Sequence, residues 1–160
     1  MNRGRADGVL RHSIIDRLTG GARPGADIRI GVRDLVHAVR RDIEWLLNSR
    51  RLLDEELADL PEARRSILAY GIPDFTQFAA SSEADRRSIC DLIAEAVRTF
   101  EPRLDPRSIA VEAVPDKGDG IFRMGFRISG VLHVEPIHEP VAFDTSIEMD
   151  SGAVQIRAAD

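Results

Sequence analysis

The chain has 160 residues, 43% of them hydrophobic and 31% charged, which is the size and composition of one ordinary globular domain and excludes a disordered or fibrous class. A formal net charge of -5 with a pI near 5.4 argues against a general nucleic-acid binder, which carries a basic face. No stretch approaches the ~20 apolar residues of a membrane span, the opening MNRGRADGVLRHSIIDRL lacks the uninterrupted apolar run of a signal peptide, and a single cysteine, Cys90, permits no internal disulfide, so a reducing, cytoplasmic setting is expected.

In chain order, Leu10, Ile14, Ile15 and Leu18 recur at helical spacing and the glycines and proline of residues 20–25 stop the pattern. This predicts a short amphipathic docking helix on a tether over residues 1–25, ahead of a single domain over 26–160. So short a helix is marginal alone and must dock on its own domain or on a neighbour. A longer helix is predicted over Val32–Asn48, with Val32, Leu35, Val36, Val39, Ile43, Leu46 and Leu47 on one stripe and Arg40, Arg41, Asp42 and Glu44 mainly on the other. A helical turn or two is expected between Leu52 and Leu60, then a short helix from Ala63 to Tyr70. Gly71 and Pro73 stop that helix and make YGIPDF an ordered corner. Ser82 with Asp85 forms a capping-box pattern ahead of the stripe Ile89, Leu92, Ile93, Ala96, Val97, Phe100, and Pro102 ends that helix.

Beyond Pro106 the period becomes alternating. Ile109, Val111 and Ala113 give a first strand. Met124, Phe126, Ile128, Leu132 and Val134 give a second, with Gly130 marking a bulge or bend. Val141 to Met149 gives a third strand, residues 150–152 a tight turn, and Val154 with Ile156 a fourth. The class is α+β: amphipathic helices followed by a four-stranded antiparallel sheet, with the helices packed on one face.

Catalytic signatures are sparse. His12, His37, His133 and His138 fall in four elements without metal-ligand spacing, and no glycine-rich loop leads from a strand into a helix, so neither a metal nor any other cofactor is expected. His133 and His138, with Glu135 and Glu139, read as a solvated strand connection. Cys90 lies in an apolar helical stripe and reads as a core residue, and no serine sits in an elbow motif. Among the carboxylates, Glu101, Glu135, Glu139 and Asp144 are the pool from which a glycosidase pair would be drawn. The aromatic platforms that would line a sugar cleft are missing, since Trp45 and Tyr70, the only Trp and Tyr, both read as packed.

The unusual feature is Glu101-Pro102-Arg103. A carboxylate at the last turn of a helix faces the negative end of the helix dipole, which costs a few tenths of a kcal/mol unless a cation or donor compensates. The proline fixes the backbone between acid and guanidinium, which suits recognition of another chain, with Arg103 able to form a bidentate pair with a partner carboxylate. An internal salt bridge closing the helix-to-strand corner is the equal alternative.

The phrases SIIDRL (residues 13–18), RRDIEWLLNSRR (40–51), YGIPDF (70–75), FEPRL (100–104) and EPVAFDTSIEMDSGAVQI (139–156) appear in the order found in the TssE family. The chain resembles these baseplate components of bacterial type VI secretion systems, part of the lysozyme-like group of contractile-phage baseplate wedge proteins. The resemblance implies a non-catalytic subunit of a hetero-oligomeric wedge with TssF and TssG, with TssK attached, contacting the first ring of the TssB/TssC sheath. It places the chain in the cytoplasm at a membrane-docked baseplate, held there through partners without inserting itself and without nucleic acid. Carried over, Glu101, Pro102 and Arg103 would hold the wedge's core bundle, and an unpaired sheet edge would template the sheath by strand addition. Two other readings stay open: a muramidase-like peptidoglycan hydrolase, and an anti-adaptor-type regulatory binding protein of the same fold.

Overall fold

The computed structural model describes residues 31–51, 57, 59–74, 78–79, 82–115, 123–135 and 137–158. The expected docking helix with Leu10, Ile14, Ile15 and Leu18 lies outside the described residues, as does most of the Leu52–Leu60 stretch. Helix α1 (Val32–Asn48) starts where the Asp34 carboxylate accepts the Gly31 N–H at 3.2 Å, an acid suited to the positive helix end. Its stripe Leu35, Val39, Ile43, Leu46, Leu47 is buried, and each such side chain contributes about 2 kcal/mol of transfer free energy. Helix α2 (Glu83–Phe100) is capped by Ser82, whose hydroxyl accepts the Asp85 N–H; the Asp85 carboxylate takes the Ala79 N–H at 2.8 Å instead of closing a reciprocal box.

The stretch predicted as a helix from Ala63 to Tyr70 is two 3₁₀ turns, Ala63–Arg65 and Ile67–Ala69. Ser66 between them is extended and spends its hydroxyl accepting the Leu68 N–H, so the α-helical ladder never forms. Gly71 follows at φ 113°, with a would-be Cβ only 2.4 Å from the Ser49 carbonyl oxygen. That contact closes a short parallel bridge in which Ile72 N–H donates to Ser49 O and Arg51 N–H to Ile72 O, tying the YGIP corner to the end of α1.

Strands β1 (Ala110–Val114), β2 (Arg123–Val134), β3 (Ile137–Glu148) and β4 (Val154–Ala158) form an antiparallel meander in sequence order. The expected bulge at Gly130 is absent: β2 pairs with β3 in one unbroken register from Arg123–Glu148 to Val134–Ile137. Gly130 keeps the inward alternation, and a Cβ built on it would meet Ile109, Ser108 and Leu104 at 3.6–3.7 Å, ordinary contact distance. β3 also begins four residues before the expected Val141. Pro140 is tolerated there because Val131 opposite it directs its backbone to the other side, accepting from Asp105 N–H and donating to the Ser108 hydroxyl. Phe126, Ile128, Leu132, Phe143, Ile147 and Ile156 form the inner face beneath both helices. One row of the outer face crosses all four strands as Glu112, Arg127, Asp144, Arg157, with alternating charges.

The two sheet edges differ. Along the outer edge of β4, Asn48 brackets Val154, accepting its N–H at 3.0 Å and donating to its carbonyl at 2.9 Å. Glu44 accepts the Ile156 N–H, Arg40 donates to Ile156 O at 2.9 Å, and Arg50 donates to Gly152 O at 2.8 Å. Residues 40, 44 and 48 lie one turn apart, so a single polar flank of α1 closes the edge. On β1 the register turns the backbones of Val111 and Ala113 outward. Here Arg98 of α2 reaches Ile109 O, and the Ala113 N–H points at the Cys90 thiol. The residue between them on that flank is Ala94, which has no polar group to offer Val111.

Candidate partner interface

Helix α2 ends on Glu101, whose N–H still donates to Val97 O, and Pro102 prevents another turn. The chain then runs beside the far half of β2: His133 N–H donates to Arg103 O, Asp105 N–H donates to Val131 O, and Leu104, fully buried, faces Leu132. The corner is therefore held by sheet-type hydrogen bonds on one side and by the helix end on the other.

Inside it, Glu101 is 3% exposed, and among the described residues its carboxylate accepts hydrogen bonds from Arg103 alone. The Arg103 backbone N–H and Nε donate to Glu101 Oε1 at 3.1 and 2.7 Å, and its Nη2 donates to Oε2 at 2.5 Å. This is the compensation that a carboxylate at a helix C-terminus requires. The same Nη2 donates to Asp42 Oδ2 at 2.7 Å, bridging 61 residues to the middle of α1. Asp42 Oδ1 in turn accepts from Arg41 Nε and Nη2, and the Arg41 guanidinium stacks 4.8 Å from the centre of the Trp45 ring. Glu101, Arg103, Asp42 and Arg41 thus alternate in charge from the interior outward.

The electrostatics follow this layout. Burial acts to lower the Arg103 pKa, but the hydrogen bond and charge of Glu101, then those of Asp42, hold it above the ordinary guanidinium value. Tyr70 packs edge-on against Phe100 at 5.3 Å, and its phenol is pushed up by burial first and then by the charges of Asp42 and Glu101.

The three residues of the predicted interface are brought together with unequal exposure: Glu101 is buried, Pro102 is exposed and Arg103 is half-buried. The internal salt bridge weighed as the alternative does form. Because the Nε–Nη2 side of Arg103 is spent on Glu101, a side-on bidentate pair with a partner carboxylate is not available, and Nη1 alone has no acceptor among the described residues. Trp45, expected to be packed, is 44% exposed. The sequence pattern missed Asp42 and Arg41, whose charges look like an ordinary solvated face; the Arg41–Trp45 spacing of four residues was the available signal.

The carboxylates that would form a glycosidase pair are dispersed. Glu101 is engaged under the helix layer, Glu135 and Glu139 are exposed around the β2–β3 hairpin, and Asp144 is held by Arg127 at 2.7 and 3.1 Å on the outer sheet face. His133 and His138 pair directly across that hairpin, rings 4.3 Å apart, while His37 sits on α1 and His12 lies outside the described residues. Among the described residues no three His, Cys, Asp or Glu side chains cluster as metal ligands.

A family model described as baseplate wedge protein gp25 matches residues 33–137, which span α1, α2, the Glu101–Arg103 corner and the first strands. No curated protein and no solved structure matches the chain. With more than half its length under that match, the chain belongs to the baseplate wedge protein gp25 family.

Proposed function

We propose that this chain is the wedge subunit of a type VI secretion baseplate, a structural joint that binds TssF and TssG, with TssK attached, and contacts the TssB/TssC sheath. The observation that carries the reading is the corner itself: a buried acid spent entirely on orienting one arginine, beside an exposed proline, in a chain of the baseplate wedge family. Such an arrangement positions a charge for another macromolecule and leaves no free carboxylate there for acid–base work. The muramidase reading would need two opposed carboxylates across a groove, and Glu101 is already occupied. The protein acts in the cytoplasm, reaching the membrane-docked baseplate through partners; among the described residues no helix is long and apolar enough to cross a membrane.

Of the two sheet edges, both flanked by a helix, the outer edge of β1 is the less saturated candidate for sheath contact by strand addition, because α2 offers Val111 no polar group while β4 is closed by Arg40, Glu44 and Asn48. Co-expression with TssF and TssG from the same gene cluster, followed by affinity purification, tests the joint. A stable complex is expected; recovery of this chain alone, while TssF and TssG still associate, would refute it. For the sheath, Val111→Pro removes an outward N–H of β1 and is expected to block sheath assembly while leaving wedge binding unchanged.

A further inference from the structure

We infer that His133 and His138, facing each other across the β2–β3 hairpin, form a binding site for a divalent transition-metal ion that prefers imidazole ligands, with Zn²⁺ as the reference ion and water completing its coordination. Such a site does not depend on the partner reading above. The fold creates the pair where the sequence spacing shows no ligand motif. In the register of β2 with β3 the two histidines stand directly opposite, and they lie on the outward face because the neighbouring Leu132 is buried. The His133 N–H donates to Arg103 O at 2.8 Å and is therefore turned away from β3. This makes the two residues a non-hydrogen-bonded pair, the kind in which opposed side chains come closest.

The ring centroids are 4.3 Å apart, with the planes at 83°. With metal–nitrogen bonds of about 2.0–2.1 Å, two imidazoles on adjacent positions of one ion have centroids roughly 4.5–5 Å apart, so a small side-chain rotation is enough. The backbone beneath stays in place, because the strand pairing continues to Val134–Ile137 and the Arg103 carbonyl anchors the outer flank of His133. Both histidines are exposed, and among the described residues neither imidazole has a hydrogen-bond partner to give up. A neutral imidazole supplies one lone-pair nitrogen and is the commonest metal ligand in proteins. The surrounding charge favours a cation: Glu135 and Glu139 are exposed within two residues of the pair, and the Arg103 guanidinium is held by Glu101 and Asp42. Among the described residues no third His, Cys, Asp or Glu side chain completes a cage. The site is therefore an exchangeable two-imidazole one, which takes Zn²⁺ or Ni²⁺ and discriminates against Mg²⁺, an ion that requires oxygen ligands.

The test titrates ZnCl₂ into the full chain, carrying no histidine tag, by calorimetry, alongside His133→Ala, His138→Ala, the double variant and His37→Ala. His37 is an exposed histidine on α1, away from the hairpin, and serves as the control. One Zn²⁺ is expected to bind the wild-type chain, with affinity falling at least about ten-fold in either hairpin variant and less than about two-fold in His37→Ala. The double variant is expected to lose little more than either single one, because removing one imidazole already abolishes chelation. In NMR spectra of the wild-type chain the ring resonances of His133 and His138 should shift together on adding Zn²⁺, a readout that does not require any variant to fold. No binding up to about 1 mM Zn²⁺, undiminished affinity in both hairpin variants, or an equal loss in His37→Ala overturns the inference. Mg²⁺ binding as tightly as Zn²⁺ also overturns it, since acidic surface charge would then be the cause.

Discussion

Arg103→Ala is expected to destabilise the isolated protein severely, before any partner is considered. The truncation removes two of the three donors to Glu101, leaving only the residue 103 backbone N–H at 3.1 Å against a carboxylate that is 3% exposed. Breaking a buried ion pair from one side costs about 3–5 kcal/mol, because the remaining charge is neither solvated nor paired. Asp42 loses Arg103 but keeps Arg41 and is more exposed, so its share is small. Set against a total stability of about 5–15 kcal/mol, the loss would shift a urea midpoint strongly and could unfold the chain. Glu101→Gln with Arg103→Met removes both charges at similar volume and is expected to recover at least about 2 kcal/mol of that loss. A loss below about 1 kcal/mol in Arg103→Ala, or no recovery in the double variant, would refute the burial and pairing of Glu101. For this reason Arg103 is a poor site for testing assembly.

Asn48→Ala should cost about 2 kcal/mol by leaving the N–H and C=O of Val154 unpaired, and it should accelerate amide exchange at Val154 and Ile156 relative to β2; unchanged exchange would show that α1 does not close that edge. Thr145 is buried and its hydroxyl finds no partner among the described residues, so Thr145→Val should leave stability unchanged or raise it by about 1 kcal/mol in urea titration. Tyr70, the only tyrosine, should ionise above the ordinary phenol value of 10.0 in an absorbance titration. Since its folded pKa is raised, folding disfavours the phenolate, and stability should fall as pH rises past the unfolded value. Cys90, the single thiol, is pushed up by burial and then by Asp91, so it should react with iodoacetamide more slowly than a free thiol near pH 8.

The parts of the fold written in single periodic segments could be read directly. Both long helices carry a stripe set by their own local spacing, so the predicted Val32–Asn48 coincides with α1, and Pro102 predicts the end of α2. The inward alternation of β2 is likewise visible from Met124 to Leu132. Most of what could not be read depends on residues distant in sequence, Ser66 being a local exception. Ser66 competes with the helix through one side-chain hydrogen bond, so apolar spacing around it misleads. Pro140 hides the start of β3 because its tolerance depends on what Val131 does on the next strand. Arg40, Glu44 and Asn48 look like a solvated helix face until the edge of β4 is placed beside them. The Glu101-Pro102-Arg103 motif was legible as unusual, but its link to Asp42 spans 61 residues and no local pattern encodes it.

Helix α1 thus has a separate task on each side of its apolar stripe: one flank saturates the edge of β4, and the other meets the corner through Asp42. An apolar cluster could join α1 to the corner at least as strongly, since replacing buried ion pairs by well-packed hydrophobic residues is often neutral or stabilising. Stability alone therefore does not account for four alternating charges there. What an apolar cluster would not provide is a guanidinium held at the surface in one orientation. Glu101 fixes two of the Arg103 nitrogens from below and Asp42 fixes its distance from α1, so little side-chain freedom remains to be lost when a partner arrives. The same construction makes the corner dependent on the fold: displacing α1 would release Arg103 from Asp42. If the corner is where a partner docks, as proposed, assembly should accordingly be sensitive to substitutions that shift α1 without touching Glu101, Pro102 or Arg103.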